Sequence, residues 1–223
     1  MFRTFIDILI RPGAFFSGMM GEKEESFKWP LVILLAGGIV AAGYGYLLGG
    51  ATGQMMSGAV PGIGMIVTLF SVIGAFIGVF IFWLVWTAVV FVLSMAFKGD
   101  GSFKRTLQVI GYGYLPQVIG SVIALIVAIE YVPKIVVPTI TSAMMQDPAA
   151  MQQVTMSLMR DPAMMELTQI TTLITIVFLL WSANIWIFGL QHARKLSPRD
   201  AALCVGIPVI AYILYMIYSL GVS

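Results

Sequence analysis

Apolar positions in this chain come in long unbroken blocks. They show neither the alternation of a half-buried strand nor the one-sided stripe of a soluble helix. No residue from Trp29 to Phe97 is charged. About 20 helical residues cross a hydrocarbon core, so this block holds two spans. A Gly-rich stretch from Gly49 through Pro61-Gly62 parts them. The pattern predicts spans at residues 30–49, 64–97, 106–129, 167–191 and 201–221. The second is longer than a bilayer needs, which implies tilt or protrusion.

Shorter elements flank the spans. Arg3, Asp7 and Arg11 recur at four-residue steps on one face near the N-terminus, with Phe2, Phe5, Ile6 and Leu9 elsewhere. Pro12-Gly13 ends the run, which reads as an interfacial amphipathic helix; a helix packed on the bundle is the plainer alternative. Asp7 interrupts the apolar run and argues against a signal peptide. The loop at 130–166 repeats an Asp-Pro helix start at Asp147 and Asp161. A short helix is expected from Pro148 to Met159, and a second start at Pro162 feeds span four. Ser197-Pro198-Arg199-Asp200 reads as a capping box opening span five.

Composition agrees. Of 223 residues, 60% are apolar and 10% charged. An ordinary soluble domain carries about 25% charge, so a soluble enzyme, a disordered chain and a nucleic-acid binder are all excluded. The expected fold class is all-α: a polytopic bundle of five transmembrane helices in a single membrane domain over 1–223. Ten of the twelve Lys and Arg fall in the N-terminal segment 1–28 and in the loops after spans two and four. Lys134 and Arg160 lie on the alternate side. By the positive-inside rule the N-terminus is cytoplasmic and the C-terminus outside.

Small residues form ridges. Gly37, Ala41, Gly45, Gly49 and Gly53 share one helical face, Gly74 and Gly78 continue the theme in span two, and Gly120, Ala124 and Ala128 in span three. Such ridges let backbones approach. Packing inside one bundle is the simpler use, with homo-oligomerisation the alternative.

Gly111-Tyr112-Gly113-Tyr114-Leu115-Pro116 lies early in span three. Pro116 lacks the N–H that would bond the Tyr112 carbonyl, which predicts a kink about 10–15 Å from Arg105 at 1.5 Å per residue. Pro208 does the same in span five to the carbonyl of Cys204. Freed groups in lipid need partners. Tyr112, Tyr114, Gln117 and Asn184 are therefore expected to cluster beside Pro116, as structural glue or as a cytoplasm-facing groove.

Other chemistry is thin. Cys204 is the lone cysteine and His192 the lone histidine. Seven methionines between Met144 and Met165 are soft ligands in principle, but they also suit adaptable apolar packing, so no metal and no cofactor are expected. No ionisable side chain falls inside a span core, which argues against ion-coupled transport. No catalytic set appears.

The segment Phe97-Lys98-Gly99-Asp100-Gly101-Ser102-Phe103, followed by the Gly111–Pro116 motif, resembles the Yip1 domain family. Trp181, Trp186-Ile187-Phe188-Gly189-Leu190 and Leu196-Ser197 are similar to its fourth-to-fifth span junction, and Pro12, Phe16 and Trp29-Pro30 to its N-terminal part. The resemblance implies five spans and a cytosolic N-terminus. In eukaryotic members it implies vesicle traffic and Rab GTPase binding. The Asp-Leu-Tyr-Gly-Pro motif of those members is absent, so the chain resembles a prokaryotic-type member.

The expected role is non-enzymatic: organising membrane, or recruiting a protein partner at the cytoplasmic face. Lys98, Asp100, Phe103, Lys104, Arg105, Arg194, Lys195 and Arg199 are the expected contacts. The alternative is a carrier, channel or lipid-handling protein with a groove beside kinked spans three and five. The bilayer itself is the first partner, and a prokaryotic cell membrane the expected location.

Overall fold

The computed structural model describes residues 2–21 and 26–222, with side chains over 4–21 and 26–221. Lys23 and the Arg3 side chain lie outside that set. The described chain is helical: α1 (Phe2–Ile10), α2 (Pro12–Met19), α3 (Lys28–Met56), α4 (Ile63–Ala96), α5 (Phe103–Gly113), α6 (Leu115–Tyr131), α7 (Ser142–Met145), α8 (Pro148–Met159), α9 (Pro162–Ala193) and α10 (Pro198–Val222). Five helical segments are long and apolar enough to cross a membrane: α3, α4, the α5–α6 pair with its trailing turn, α9 and α10. This is an integral membrane protein. Large apolar side chains such as Met65, Phe70, Ile73 and Ile77 on α4 stay exposed, as lipid-facing surface does.

Span one runs past its expected end. The Gly49–Gly53 stretch stays helical, and α3 continues to Met56. Glycine costs a helix about 1 kcal/mol relative to Ala, but here its missing side chain is used. A Cβ at Gly45 would stand 2.6 Å from the Ser71 carbonyl oxygen, and one at Gly53 would stand 2.6 Å from that of Gly64. Hence α3 and α4 meet backbone to backbone as an antiparallel hairpin. Gly62, with φ of +80°, makes the turn that starts α4. Lipid removes the hydrophobic drive between helices, so van der Waals fit takes over. The ridge of α3 is thus used within the bundle.

Gly74 and Gly78 differ. A Cβ at either meets nothing within 4 Å. They do not seat a neighbouring helix; they leave space. Span five carries Pro208 inside a single helix, α10. Span three does break, at Tyr114, about 14 Å from Arg105 by helical rise.

The ends form as their caps dictate. Asp147 accepts from the Ala149 N–H (2.9 Å) and opens α8. Asp161 accepts from Met164 N–H (3.0 Å) and, with its other oxygen, from Val136 N–H (3.1 Å). That second bond ties the loop after span three to the start of α9. Ser197 accepts from Asp200 N–H (3.1 Å) and donates to the Asp200 carboxylate (2.7 Å). At the N-terminus, α1 packs on the bundle through Phe5, Ile8 and Leu9, while Ile6 and Ile10 remain exposed.

Two glycines in α3 separate the two uses of a small residue. Gly53→Ala should destabilise the protein by about 1–3 kcal/mol through overpacking. Gly50→Ala, with open space around its Cβ, should be neutral or stabilising by up to about 1 kcal/mol. Thermal unfolding in detergent measures both.

Candidate functional site

The break in span three is built by two indoles. In a regular helix the Tyr114 N–H would bond the Ile110 carbonyl; here it turns to Gly111 (3.3 Å). The Ile110 carbonyl instead accepts the Trp186 indole N–H at 2.9 Å, and the Leu107 carbonyl accepts that of Trp83 at 3.0 Å. The glycines make room for these rings. A Cβ at Gly113 would lie 2.1 Å from the Trp186 ring, and one at Gly111 would lie 2.8 Å from Pro30 and 3.3 Å from the Trp83 indole nitrogen. Residues Thr106 and 108–114 are all buried. Tyr112 packs edge-on against Phe15 and Phe16 of α2. Gln108, fully buried, donates to the Ser26 carbonyl (2.8 Å) and accepts from Arg105 (3.0 Å).

Beyond α5, one end of the bundle closes around Arg194. Its guanidinium is 3% exposed. It donates to Ser94 Oγ (2.9 Å) and to the carbonyls of Gly99 (2.7 Å) and Gly101, and lies over the Phe91 ring at 4.3 Å. The Asp100 N–H returns a bond to the Arg194 carbonyl (2.9 Å). Gly101, at φ of +150°, lies against the Ala193 carbonyl where a Cβ could not fit. Burial lowers the Arg194 pKa and Asp100 opposes this; a guanidinium stays charged regardless. Outside the clasp, Lys195 pairs with Asp100 at 2.7 Å. The Lys195 hydrogen bond, and then its charge, hold the Asp100 carboxyl below its usual pKa.

The other side of the break is open. A groove of about 620 Å³ runs between α3, α4, α6 and α9, past Gly45, Gly49, Gly74 and Gly120. A second hollow of about 300 Å³ adjoins it, walled by Phe82, Tyr114, Trp186 and Tyr212. The two share Ala75, Gln117 and Thr175. Trp86 Nε1, Tyr114 OH and Ser182 Oγ are buried without a hydrogen-bond partner among the described residues.

The model of the Yip1 domain family matches residues 6–220. The chain belongs to the Yip1 domain family. It is 32% identical over 125 residues to an uncharacterised protein of Methanocaldococcus jannaschii, covering 56% of this chain and 88% of that protein. No solved structure matches it.

Within this Yip1 domain the expected polar cluster is divided. Tyr114 and Gln117 meet at the groove. Tyr112 turns to α2 instead, and Pro116 is buried at the start of α6. Asn184 is exposed on α9, where Ser182, Ala183, Ile185 and Trp186 are buried; it does not join them. The inward face of α9 is set by the packing of Trp186 and by Gly189, whose Cβ would strike Val109. Of the expected contact residues, Lys98, Asp100, Phe103, Lys104, Lys195 and Arg199 are exposed and Arg105 is half-buried. Arg194 is spent inside the clasp. Its burial was illegible in the sequence because an Arg-Lys pair after a long span reads as two surface charges. The glycines at 99 and 101 are the one signal for it. His192 meets the Phe188 carbonyl at 2.7 Å.

Replacing Arg194 by Leu should destabilise the Yip1 domain by about 3 kcal/mol, since three acceptors lose a donor and each costs about 1–3 kcal/mol at most. Arg194→Lys should recover only part, because a single ammonium cannot span the same fork; chemical denaturation in micelles reads both. The pair of Asp100 with Lys195 has a depressed carboxyl pKa, so its contribution is complete above the ordinary value of about 3.9. It falls away as pH drops through the lower folded value. The hydrogen-exchange protection factor of the Asp100 amide should be flat from pH 8 to 5 and drop in stronger acid.

Proposed function

We propose that this Yip1-domain protein is a non-enzymatic docking platform in a prokaryotic cell membrane. Its N-terminus is cytoplasmic, its C-terminus is outside, and its basic end recruits a protein partner that organises the membrane. The observation that carries this reading is the clasp. A buried guanidinium fixes the loop from Phe97 to Ser102, which exposes Lys98; Phe103 and Lys104 at the start of α5, and Lys195 and Arg199 after α9, are exposed as well. Lys98 and Lys195 both hold positive φ (59° and 52°), a conformation that non-glycine residues adopt rarely. An ordered apolar-and-basic surface of this kind suits a partner with acidic and aromatic groups. Anionic head groups add about 1 kcal/mol per basic residue near the surface.

A photo-crosslinking residue in place of Phe103, in the full chain and its native membrane, tests the reading. One discrete adduct is expected, and Lys98→Glu with Lys104→Glu should remove it. A crosslinking profile that those changes leave untouched would end the proposal.

The groove favours a second reading, a carrier or lipid-handling protein for a neutral or lipidic substrate. Broken helices often line such sites. Transport predicts flux or lipid scrambling above that of empty liposomes, and flux equal to theirs counts against it for the substrates tried.

A further inference from the structure

We propose that the groove is a binding site for a neutral lipid: an apolar chain carrying an uncharged head group with a carbonyl or hydroxyl oxygen. The chain lies along α3, and the head group sits between Tyr114 and Gln117. This shares with the second reading above only the presence of a lipidic molecule in the groove. It requires no transport, so absence of flux leaves it standing and absence of binding removes it.

Three independent observations converge. The first is space that the sequence keeps open. Gly74 and Gly78 have nothing within 4 Å of a built Cβ, whereas Gly45, Gly49, Gly53 and Gly120 are pressed against neighbours. The groove is about 620 Å³, inside the range of about 300–1,000 Å³ typical of ligand sites. Its wall on α3 extends from Val40 to Thr52, about 18 Å of helix. The walls on α4, α6 and α9 lie within membrane spans, so what can enter sideways is lipid.

The second observation is polar groups that the protein leaves unpaired. Tyr114 is 7% exposed, and its hydroxyl has no hydrogen-bond partner among the described residues. Gln117 borders both hollows, and its amide has no hydrogen-bond partner among the described residues. Its neighbours differ: Thr52, Ser121 and Thr175 donate to carbonyls of their own helices, and the Tyr44 hydroxyl meets Thr171. An unpaired donor at hydrocarbon depth is costly. Gln117 offers its amide to an acceptor oxygen in the hollow that the Tyr114 ring also walls; the Tyr114 hydroxyl, enclosed by protein, joins it when an entering head group displaces its neighbours.

The third observation sets the ligand's charge and the shape of its head. Among the described residues, no Asp, Glu, Lys, Arg or His lines either hollow. A charged head group would be desolvated there without a counter-charge. The smaller hollow is walled by four aromatic rings, which suits a flat or compact head, and the larger is lined by small residues that suit a chain.

The test uses the purified full chain in nanodiscs of zwitterionic phospholipid with a photoactivatable monoacylglycerol. Competitors are an unlabelled monoacylglycerol, a polyisoprenoid quinone and a charged fatty acid of equal chain length. Labelling is expected on α3, α6 or α9, displaced by an uncharged competitor and at least tenfold less well by the fatty acid. Displacement by quinone rather than by monoacylglycerol would assign a ring head group, and the reverse a linear one. Gly74→Leu fills the groove and should cut labelling about tenfold with unfolding unchanged. Tyr114→Phe and Gln117→Leu should each weaken retention several-fold. Tyr114→Phe should unfold no earlier than the parent, because its hydroxyl bonds nothing among the described residues. Equal labelling of Gly74→Leu and parent, equal competition by the charged fatty acid, or a marked loss of stability in Tyr114→Phe would each overturn the proposal.

Discussion

A carbonyl released from its helix inside hydrocarbon has no water to turn to, and this structure is organised around that constraint. The break at Tyr114 releases the Ile110 carbonyl, and the Trp186 indole N–H takes it. To reach it, the indole must lie flat against α5, which requires glycine at 113. Trp83 adds a bond to the Leu107 carbonyl one turn earlier. The two rings come from α9 and α4, so one backbone defect locks three spans together. The Gly-Tyr-Gly-Tyr-Leu-Pro segment is therefore a joint, with glycines as the sockets for the two rings.

The same economy operates at the basic end. Arginine is the least replaceable cation for holding several carbonyls, because its fork presents donors in one plane. Arg194 uses that fork to bind the loop, which supplies a carbonyl pair, while Ser94 of α4 supplies a hydroxyl. One charge is thereby hidden while its neighbours are displayed. Rigidity at this end contrasts with the void on the far side of Tyr114, where small residues and unpaired donors face one another. A single broken span thus separates a packed half from an open one.

Much of the architecture was legible because a bilayer reduces folding to few choices. Asp147 and Asp161 each accept a backbone N–H in the first turn of their helices, as the Asp-Pro starts imply. Gly49–Gly53 lies inside α3 rather than between spans, because at Gly49 and Gly53 the neighbour across the interface makes a missing side chain useful. The site was less legible. Tyr114 and Gln117 were identifiable as polar groups near a proline, but Asn184 looked equivalent and is not. Depth along a span can be counted from sequence; rotation about the helix axis cannot when apolar residues surround the helix on all sides.

The sequence alone determined the five spans, the two short N-terminal and loop helices, and the place of the break, since each follows from the length of apolar runs, helix caps and a proline's missing N–H. Tertiary structure alone decided which glycines press on a neighbour and which leave a void. It also decided that Arg194 is buried while Lys195 is not. Those outcomes depend on what stands across from each residue, and a uniformly apolar helix carries no periodic signal of which way it faces.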